Sequence, residues 1–322
     1  MTHRPRIEPV PESVGRPRWS VLIPTYECAG YLVETLESVL AQDPGPDRMQ
    51  IEVVDDHSSD EPEAVVRRHG GRVGFHRQPR NVGHVANLNT CLARSTGELV
   101  HVLHGDDAVR PGFYAALEAP FASPEIGAAF CRYLAIDDTG RWTTVAPLEA
   151  EEDGVIGDWL DRIARWQRVQ TPAMVVRRSV YEQVGGFDDR VGDVEDWEMW
   201  TRIAAHTQVW HVVEPLALYR VRERSLSRGT LRTGANVANL RRAIELNREV
   251  LPPERREEIT REALEVTALT ALKRARRLLG AGDAAAARAQ VREALRTSRS
   301  PAVLERLAVL GAAAARGLVR RR

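Results

Sequence analysis

The 322-residue sequence contains a single lysine, Lys273, among 45 basic residues, so arginine carries nearly all of its positive charge. Cysteine is also scarce. Cys28, Cys91 and Cys131 are odd in number and widely spaced, with no CxxC pair. That pattern excludes a zinc knuckle and a disulfide framework, and a reducing cytoplasm is the expected compartment. No run approaches the roughly 18 apolar residues that a membrane-spanning helix requires. The first stretch, MTHRPRIEPVPESVGRPRW, lacks the apolar centre of a signal peptide, and residues 1–17 read as a disordered leader. No GxGxxG follows the first predicted strand and no GxxxxGK[ST] is present, which argues against a nicotinamide enzyme and a P-loop nucleotidase. The nine histidines are scattered, and His101 and His104 fall on a predicted strand, as buried or surface residues rather than zinc ligands. No Ser–His–Asp or Cys–His arrangement is evident.

What is present is enough apolar material, 43%, for a substantial core. The formal net charge of zero conceals an asymmetry. Residues 233–322 carry 19 basic and 10 acidic side chains, a net of +9, which leaves −9 for residues 1–232. Two regions with different tasks are expected. In the acidic part, short apolar runs alternate with helical spacing. Trp19–Pro24, Ile51–Asp56, Val73–Arg77 and Glu98–His104 read as strands. Leu32/Leu36/Val39/Leu40, Pro62–His69 and Leu88/Leu92 read as the helices between them. This order predicts an α/β fold, a mostly parallel sheet with helices on both faces. Further on, strands are expected at Ala128–Ile136, Arg141–Val145, Ala173–Val176, Val209–Val213 and Leu216–Val221, and helices at Gly157–Trp166 and Glu195–Ala205. Beyond residue 232, Leu264/Ala268/Leu272/Ala275/Leu279, Val291/Leu295 and Leu304/Leu307 predict a small all-helical C-terminal region.

Sheets of this kind bind ligands at the carboxyl ends of their strands. Two acid pairs, Asp55-Asp56 and Asp106-Asp107, fall at such ends. Carboxylates converging on one crevice repel unless a cation or a set of donors joins them. A hard divalent ion held by one or two carboxylates and phosphate oxygens is one answer. The other is that both pairs cap the following helices.

Seven segments in order add a resemblance. Ser20-Val-Leu-Ile-Pro-Thr-Tyr26, Val53-Val-Asp-Asp-His-Ser-Ser-Asp60, Asn81-Val-Gly83, His104-Gly-Asp-Asp107, Gly185-Gly-Phe-Asp188, Glu195-Asp-Trp197 and Tyr219-Arg-Val-Arg-Glu-Arg-Ser-Leu-Ser227 resemble family 2 glycosyltransferases over residues 18–230. The resemblance implies a GT-A-like domain over 18–232 and an inverting enzyme that uses a UDP-, dTDP- or GDP-linked sugar. A carboxylate base and Mg²⁺ or Mn²⁺ would assist direct displacement by an acceptor hydroxyl. By the same likeness, Pro24, Thr25 and Tyr26 flank the nucleobase, and Asp55 or Asp56 accepts its ring N–H. Asp106 lies towards the ribose, and Asp107 is the metal ligand of a DxD-type motif. Asp196 is the general base, while Glu195 and Trp197 line the acceptor subsite; for Trp197, burial in the core is the other reading.

The sequence also departs from that pattern. His57 stands where relatives often carry glycine, and Glu27 where asparagine is common. The Tyr-Arg-x-His segment of many relatives reads Tyr219-Arg-Val-Arg222 here. Arginine cannot ligate a cation, but it pairs well with a phosphate oxygen, so Arg222 joins the expected nucleotide-sugar residues. The alternative is a non-catalytic nucleotide-sugar-binding or scaffold protein of the same fold. The tail, residues 303–322, reads as a weakly apolar helix closed by three arginines. It would suit either an ordinary packed cap or peripheral contact with the inner membrane face.

Overall fold

The computed structural model describes residues 3–222 and 226–319. In chain order its elements are β1 (Trp19–Thr25), α1 (Ala29–Leu40), β2 (Met49–Asp55), α2 (Pro62–Arg67), β3 (Gly74–Arg77), α3 (His84–Arg94), β4 (Leu99–Val102), β5 (Ala108–Val109), α4 (Phe113–Glu118), β6 (Ile126–Ile136), β7 (Trp142–Val145) and β8 (Gly154–Val155). There follow α5 (Trp159–Arg165), β9 (Met174–Arg177), α6 (Arg178–Val184), α7 (Glu195–Ala204), β10 (Gln208–Arg220), α8 (Leu226–Thr233), α9 (Ala235–Asn247), α10 (Pro253–Gly280), α11 (Ala284–Thr297) and α12 (Pro301–Val319). The chain divides into two units. One comprises Met1–Trp159, Arg168–Asp189 and Arg202–Arg222; the other comprises Leu160–Gln167, Arg190–Thr201 and Glu223–Arg322.

The first unit is built on a mixed sheet of order β3-β2-β1-β4-β9-β6-β10-β5, with β7 on β6 and β8 on β10. Strands β3, β2, β1 and β4 run parallel, as the alternation of strand and helix signals predicts. β9 is antiparallel to both β4 and β6, while β6 and β10 are again parallel. β1 is buried at every position, as a strand covered on both faces must be. Its one early polar residue, Ser20, is satisfied by accepting from the Thr96 and Gly97 amides. Gly97 is required there, because a Cβ would stand 2.5 Å from the Trp19 carbonyl carbon. His101 on β4 is a core histidine. It stacks on Phe113 at 4.6 Å, and burial first of all lowers its pKa to about 4, keeping it neutral.

Within the first unit, two expectations about its elements differ from the structure. The strands expected at Val209–Val213 and Leu216–Val221 are one strand, β10, with register shifts on either side of Pro215. Proline donates no ladder hydrogen bond, so the pairing bulges around it and resumes. Residues 3–17, expected as a loose leader, are tied along the unit. Ile7 is only 2% exposed. The Pro5 carbonyl accepts from the Gly186 amide, Glu8 O from Arg178, and Arg4 pairs with buried Asp188 at 2.8 Å. Specific contacts of this kind leave no trace in composition.

The second unit is helical. α10 packs with α11 and α12 through a core of Val237, Leu272, Ala287, Val303 and Leu310, among others. Residues 160–167 and 190–201 group with it rather than with their sequence neighbours. Leu160 and Ala164 pack with Leu251 and Ile259, Arg165 pairs with Glu262 at 2.5 Å, and Asn247 donates to the Thr201 hydroxyl. The boundary expected at residue 232 misses these two inserts, since only the fold brings them to the C-terminal helices. Among the described residues no helix is long and apolar enough to cross a membrane.

Candidate active site

In the first unit, the parallel pairing of β1 with β2 and β4 sets their carboxyl ends side by side, with Thr25 opposite Asp55 in register. The loops leaving β1 and β2 are stitched together. The Glu27 amide donates to Ser58 Oγ, and its carboxylate accepts from the Ser59 amide at 2.7 Å and the Ser59 hydroxyl at 3.1 Å. Asp60 accepts from the Ala29 amide at the start of α1. Glu27 and His57, two of the departures from the family pattern, both take positive φ, +49° and +64°. These are left-handed conformations in which asparagine and glycine strain less, and the loop contacts hold them there.

The two carboxylates of the first pair differ. Asp55 is fully buried; it accepts from the Ser58 amide and hydroxyl and meets Arg77 Nη1 at 3.1 Å. Its lone pairs are taken. Asp56 accepts from the Val82 amide at 2.7 Å and the Gly83 amide at 3.0 Å, one on each oxygen. An ionised carboxylate offers about four acceptor sites, so Asp56 keeps capacity that Asp55 lacks. The Asn81-Val-Gly83 segment is thereby explained as the loop that anchors on Asp56.

Pro24 and Thr25 are buried, so neither offers a side chain to a base. Their carbonyls instead receive the Gly105 and Asp56 amides, which makes them the frame of the crevice. Tyr26, 50% exposed, is the residue of that trio with an open ring.

At the end of β4, Gly105 fits against β1; a Cβ there would lie 2.7 Å from Thr25 Oγ1 and 3.1 Å from Cys28 Sγ. This close approach fixes the turn carrying the second pair. Arg220 clamps it, donating from its amide to Asp107 Oδ1 (2.8 Å), from Nε to Asp106 O and from Nη2 to Glu34. Asp107 is 2% exposed, and its Oδ2 has no hydrogen-bond partner. Burial, joined by the neighbouring Asp106 charge, raises its pKa to about 6 against the opposing pull of His104.

His104 Nδ1 lies 3.6 Å from Asp107 Oδ2, and its Nε2 is buried without a partner. His104, Asp106 and Asp107 bring one ligand atom each within 4.8 Å of one another. Sequence reasoning set His104 aside; its place two residues before Asp106, where a DxD-type run would carry an acid, was the available signal. Arg222 holds its Nε 2.6 Å from Asp106 Oδ2, a charge contact rather than an aligned hydrogen bond, and its guanidinium lies 5.6 Å from the Tyr31 ring centre. The expected motif continues through residues 223–225, which lie outside the described residues.

In the second unit, Gly192 (φ +64°) turns the chain into α7, where a Cβ would meet the Asn239 amide group at 2.5 Å. Asp193 beside it accepts from Thr230 (2.6 Å) and Asn239 (2.7 Å). Glu195 and Asp196 then open α7, where acidic side chains suit the positive end of the helix dipole. Asp196 Oδ1 accepts from the Trp197 amide, and Oδ2 accepts from Gln167 Nε2 at 2.6 Å. Gln167 was not singled out from sequence, and nothing in its neighbours marks it. Trp197 corrects the acceptor assignment. It is fully buried, with its indole N–H on the Ile163 carbonyl at 2.6 Å, so it has no face for a sugar.

Comparison with known proteins shows the family and the fold. The profile of Glycosyl transferase family 2 matches residues 20–185, and the chain belongs to that family. It is 28% identical to an uncharacterized protein of Mycobacterium tuberculosis over 71% of this chain and 75% of that one. The crystal structure of S. aureus TarS 1-349 in complex with UDP-GlcNAc has a TM-score of 0.60 at 15% identity, covering 88% of this chain and 93% of that one. The mannosyltransferase PcManGT from Pyrobaculum calidifontis, in complex with GDP-Man and Mn²⁺, has a TM-score of 0.56 at 20% identity, covering 97% and 83%. The fold is GT-A-like, with a helical C-terminal region.

Proposed function

We propose that the protein transfers a sugar from a nucleoside diphosphate to an acceptor hydroxyl by direct displacement with inversion at carbon one. The observation that carries this reading is the Asp107 oxygen, buried without a partner beside His104 and Asp106 at the strand ends. Burying a polar atom unpaired costs free energy that folding alone does not return. The donor set, carboxylates and one imidazole, suits Mg²⁺ or, better, Mn²⁺. Asp107 and His104, with Asp106, would hold the ion, which when bound offsets charge on the leaving diphosphate. Neighbours solved with UDP-GlcNAc and with GDP-Man and Mn²⁺ support a ligand of this class.

The chain's own residues supply the remaining roles. Tyr26 offers its exposed ring to the base, and Asp56, with acceptor capacity to spare, takes the ring N–H. Arg222 exchanges its contact with Asp106 for a phosphate oxygen. Asp196, held by Gln167 and the Trp197 amide, takes the proton from the attacking hydroxyl.

The test is a panel of UDP-, dTDP- and GDP-sugars, with and without Mn²⁺ or Mg²⁺, read as nucleoside-diphosphate release and as the anomeric configuration of the product. One donor should be consumed in a metal-dependent way, with inversion. Binding without turnover across acceptors would favour a non-catalytic nucleotide-sugar-binding protein. In Asp196→Asn, transfer should fall by about 10²–10⁴ while calorimetry shows donor affinity unchanged, because a base acts in the transition state. Transfer within tenfold of wild type would exclude that role.

A further inference from the structure

Tyr31, in the first turn of α1, has no part in the chemistry above, yet two guanidinium groups lie over its ring. Those of Arg220 and Arg222 stand 4.8 Å and 5.6 Å from the ring centre. The strand period brings them there. Val221 continues the pairing of β10 through its amide to Ile136 O and is itself exposed, so the arginines on either side of it turn the other way together. All of these residues belong to the first unit.

The two arginines are held differently. Arg220 is buried, and each of its three nitrogens is engaged, on Asp106 O, Asp137 O and the Glu34 carboxylate. Arg222 is partly exposed. Its Nε stands beside the Asp106 carboxylate without an aligned hydrogen bond, and its Nη1 reaches Glu27 O only at 3.5 Å. A guanidinium with uncommitted donors is free to turn to another oxyanion, provided that something keeps its plane in place. The Tyr31 ring does this, because the attraction of a cation to an aromatic face does not depend on where its N–H groups point. The ring is itself fixed. Its hydroxyl donates to Asp138 Oδ1 at 3.2 Å, and the Tyr31 amide donates to Cys28 O.

We propose that Tyr31 is a positioning residue for the donor's diphosphate: its ring holds the Arg222 guanidinium at the strand ends while the group passes from Asp106 to a phosphate oxygen. This rests on the transferase reading above. Without the ring, the long Arg222 side chain would spread over its rotamers, and ordering it again would weaken binding. Arg220, locked by its other contacts, would keep its place and the Asp106-Asp107 turn with it.

The experiment titrates UDP, dTDP and GDP into the full chain by calorimetry with Mn²⁺ present, and takes the diphosphate that binds through a double-mutant cycle. Arg222→Met should weaken binding at least about tenfold, the scale of a lost charge-assisted hydrogen bond. Tyr31→Leu should weaken it about threefold to fivefold, the scale of a cation–π contact at a partly exposed site. Tyr31→Leu/Arg222→Met should bind no more weakly than Arg222→Met alone, because the ring acts through the arginine. Tyr31→Phe, which keeps the ring and loses the Asp138 bond, should match wild type. In the ligand-free protein, the Arg222 Nε–H proton resonance, assigned by its loss in Arg222→Met, should be displaced by the ring current. It should return to the ordinary arginine range in Tyr31→Leu and not in Tyr31→Phe. Additive losses, unaltered binding by Tyr31→Leu, or an Arg222 resonance indifferent to the ring would overturn the proposal. So would a loss of Mn²⁺ affinity in Tyr31→Leu, which would place the effect on Arg220 and the turn it clamps. In each of those failures wild type still binds its diphosphate and the transferase reading stands. Wild type that bound none of the three would strike that reading, and the proposal with it.

Discussion

The two strand-end acid pairs are alike in sequence and opposite in circumstance. Both oxygens of Asp55 and of Asp56 meet donors of the protein, Ser58 and Arg77 for the first and the Val82 and Gly83 amides for the second, which leaves Asp56 acceptor capacity over. Asp107, as deeply buried, has one oxygen served by the Arg220 amide, while the other has no hydrogen bond and only His104 Nδ1 at 3.6 Å. Burial alone therefore does not mark a functional carboxylate. The unpaired oxygen is what singles out Asp107 for the proposed metal role, because leaving such an atom without a partner costs free energy.

The largest test of this contrast is Asp107→Asn. The asparagine Oδ1 still accepts from the Arg220 amide, but it removes the buried charge. Transfer should fall by at least about 10², the scale of a lost electrostatic contribution at a reacting centre, and Mn²⁺ binding should disappear. Stability of the metal-free protein should move the other way. With a pKa raised from 3.8 to about 6, the folded state binds more protons than the unfolded state across that interval. Its contribution is therefore present below pH 3.8 and is lost as pH rises through 6. Asp107→Asn should flatten that decline, read as melting temperature against pH with chelator present. An unaltered pH profile would mean that Asp107 is satisfied after all.

Asp55→Asn should behave in the opposite sense. It strips charge from a side chain that gathers Ser58 and Arg77, so stability should drop by about 2 kcal/mol, discounted because Arg77 is partly exposed. Transfer by the folded fraction should change far less than in Asp107→Asn. Urea midpoints against per-molecule activity separate the two. A stable but inactive Asp55→Asn would place Asp55, rather than Asp56, on the base.

How much of this was legible in the sequence differs between the same regions. The β1–β4 alternation and both acid pairs were plain, because strand period, helix period and strand-end acids are local signals. So was His57, whose positive φ follows from a turn that relatives fill with glycine. The division of labour within each pair was not legible, since it depends on Arg77, Val82 and Arg220 arriving from elsewhere. Trp197 shows the limit from the other side: a tryptophan beside an acid reads equally as sugar platform or core, and only the Ile163 carbonyl decides. The grouping of residues 160–167 and 190–201 with the C-terminal helices is invisible for the same reason.

The smallest effect sharpens the comparison at the residue that leaves β1 where its end adjoins those of both pairs' strands. Tyr26 is exposed, while Pro24 and Thr25 before it are buried, so stacking on a base falls to its ring alone. Stacking of a base on an aromatic side chain contributes about 1–3 kcal/mol, and a half-exposed ring belongs at the low end. Tyr26→Ala should therefore weaken nucleoside-diphosphate binding roughly fivefold to tenfold, and Tyr26→Phe should leave it unchanged. Because the ring touches the donor equally before and during transfer, the loss should appear in KM rather than kcat. Calorimetry with and without Mn²⁺ completes the argument. The Tyr26→Ala loss should be the same in both conditions, whereas any loss in Asp107→Asn should need the ion. If the Tyr26 effect also vanished with chelator, the base and metal ends of the crevice would be coupled, and the assignment of one acid pair to the base and the other to the ion would fail.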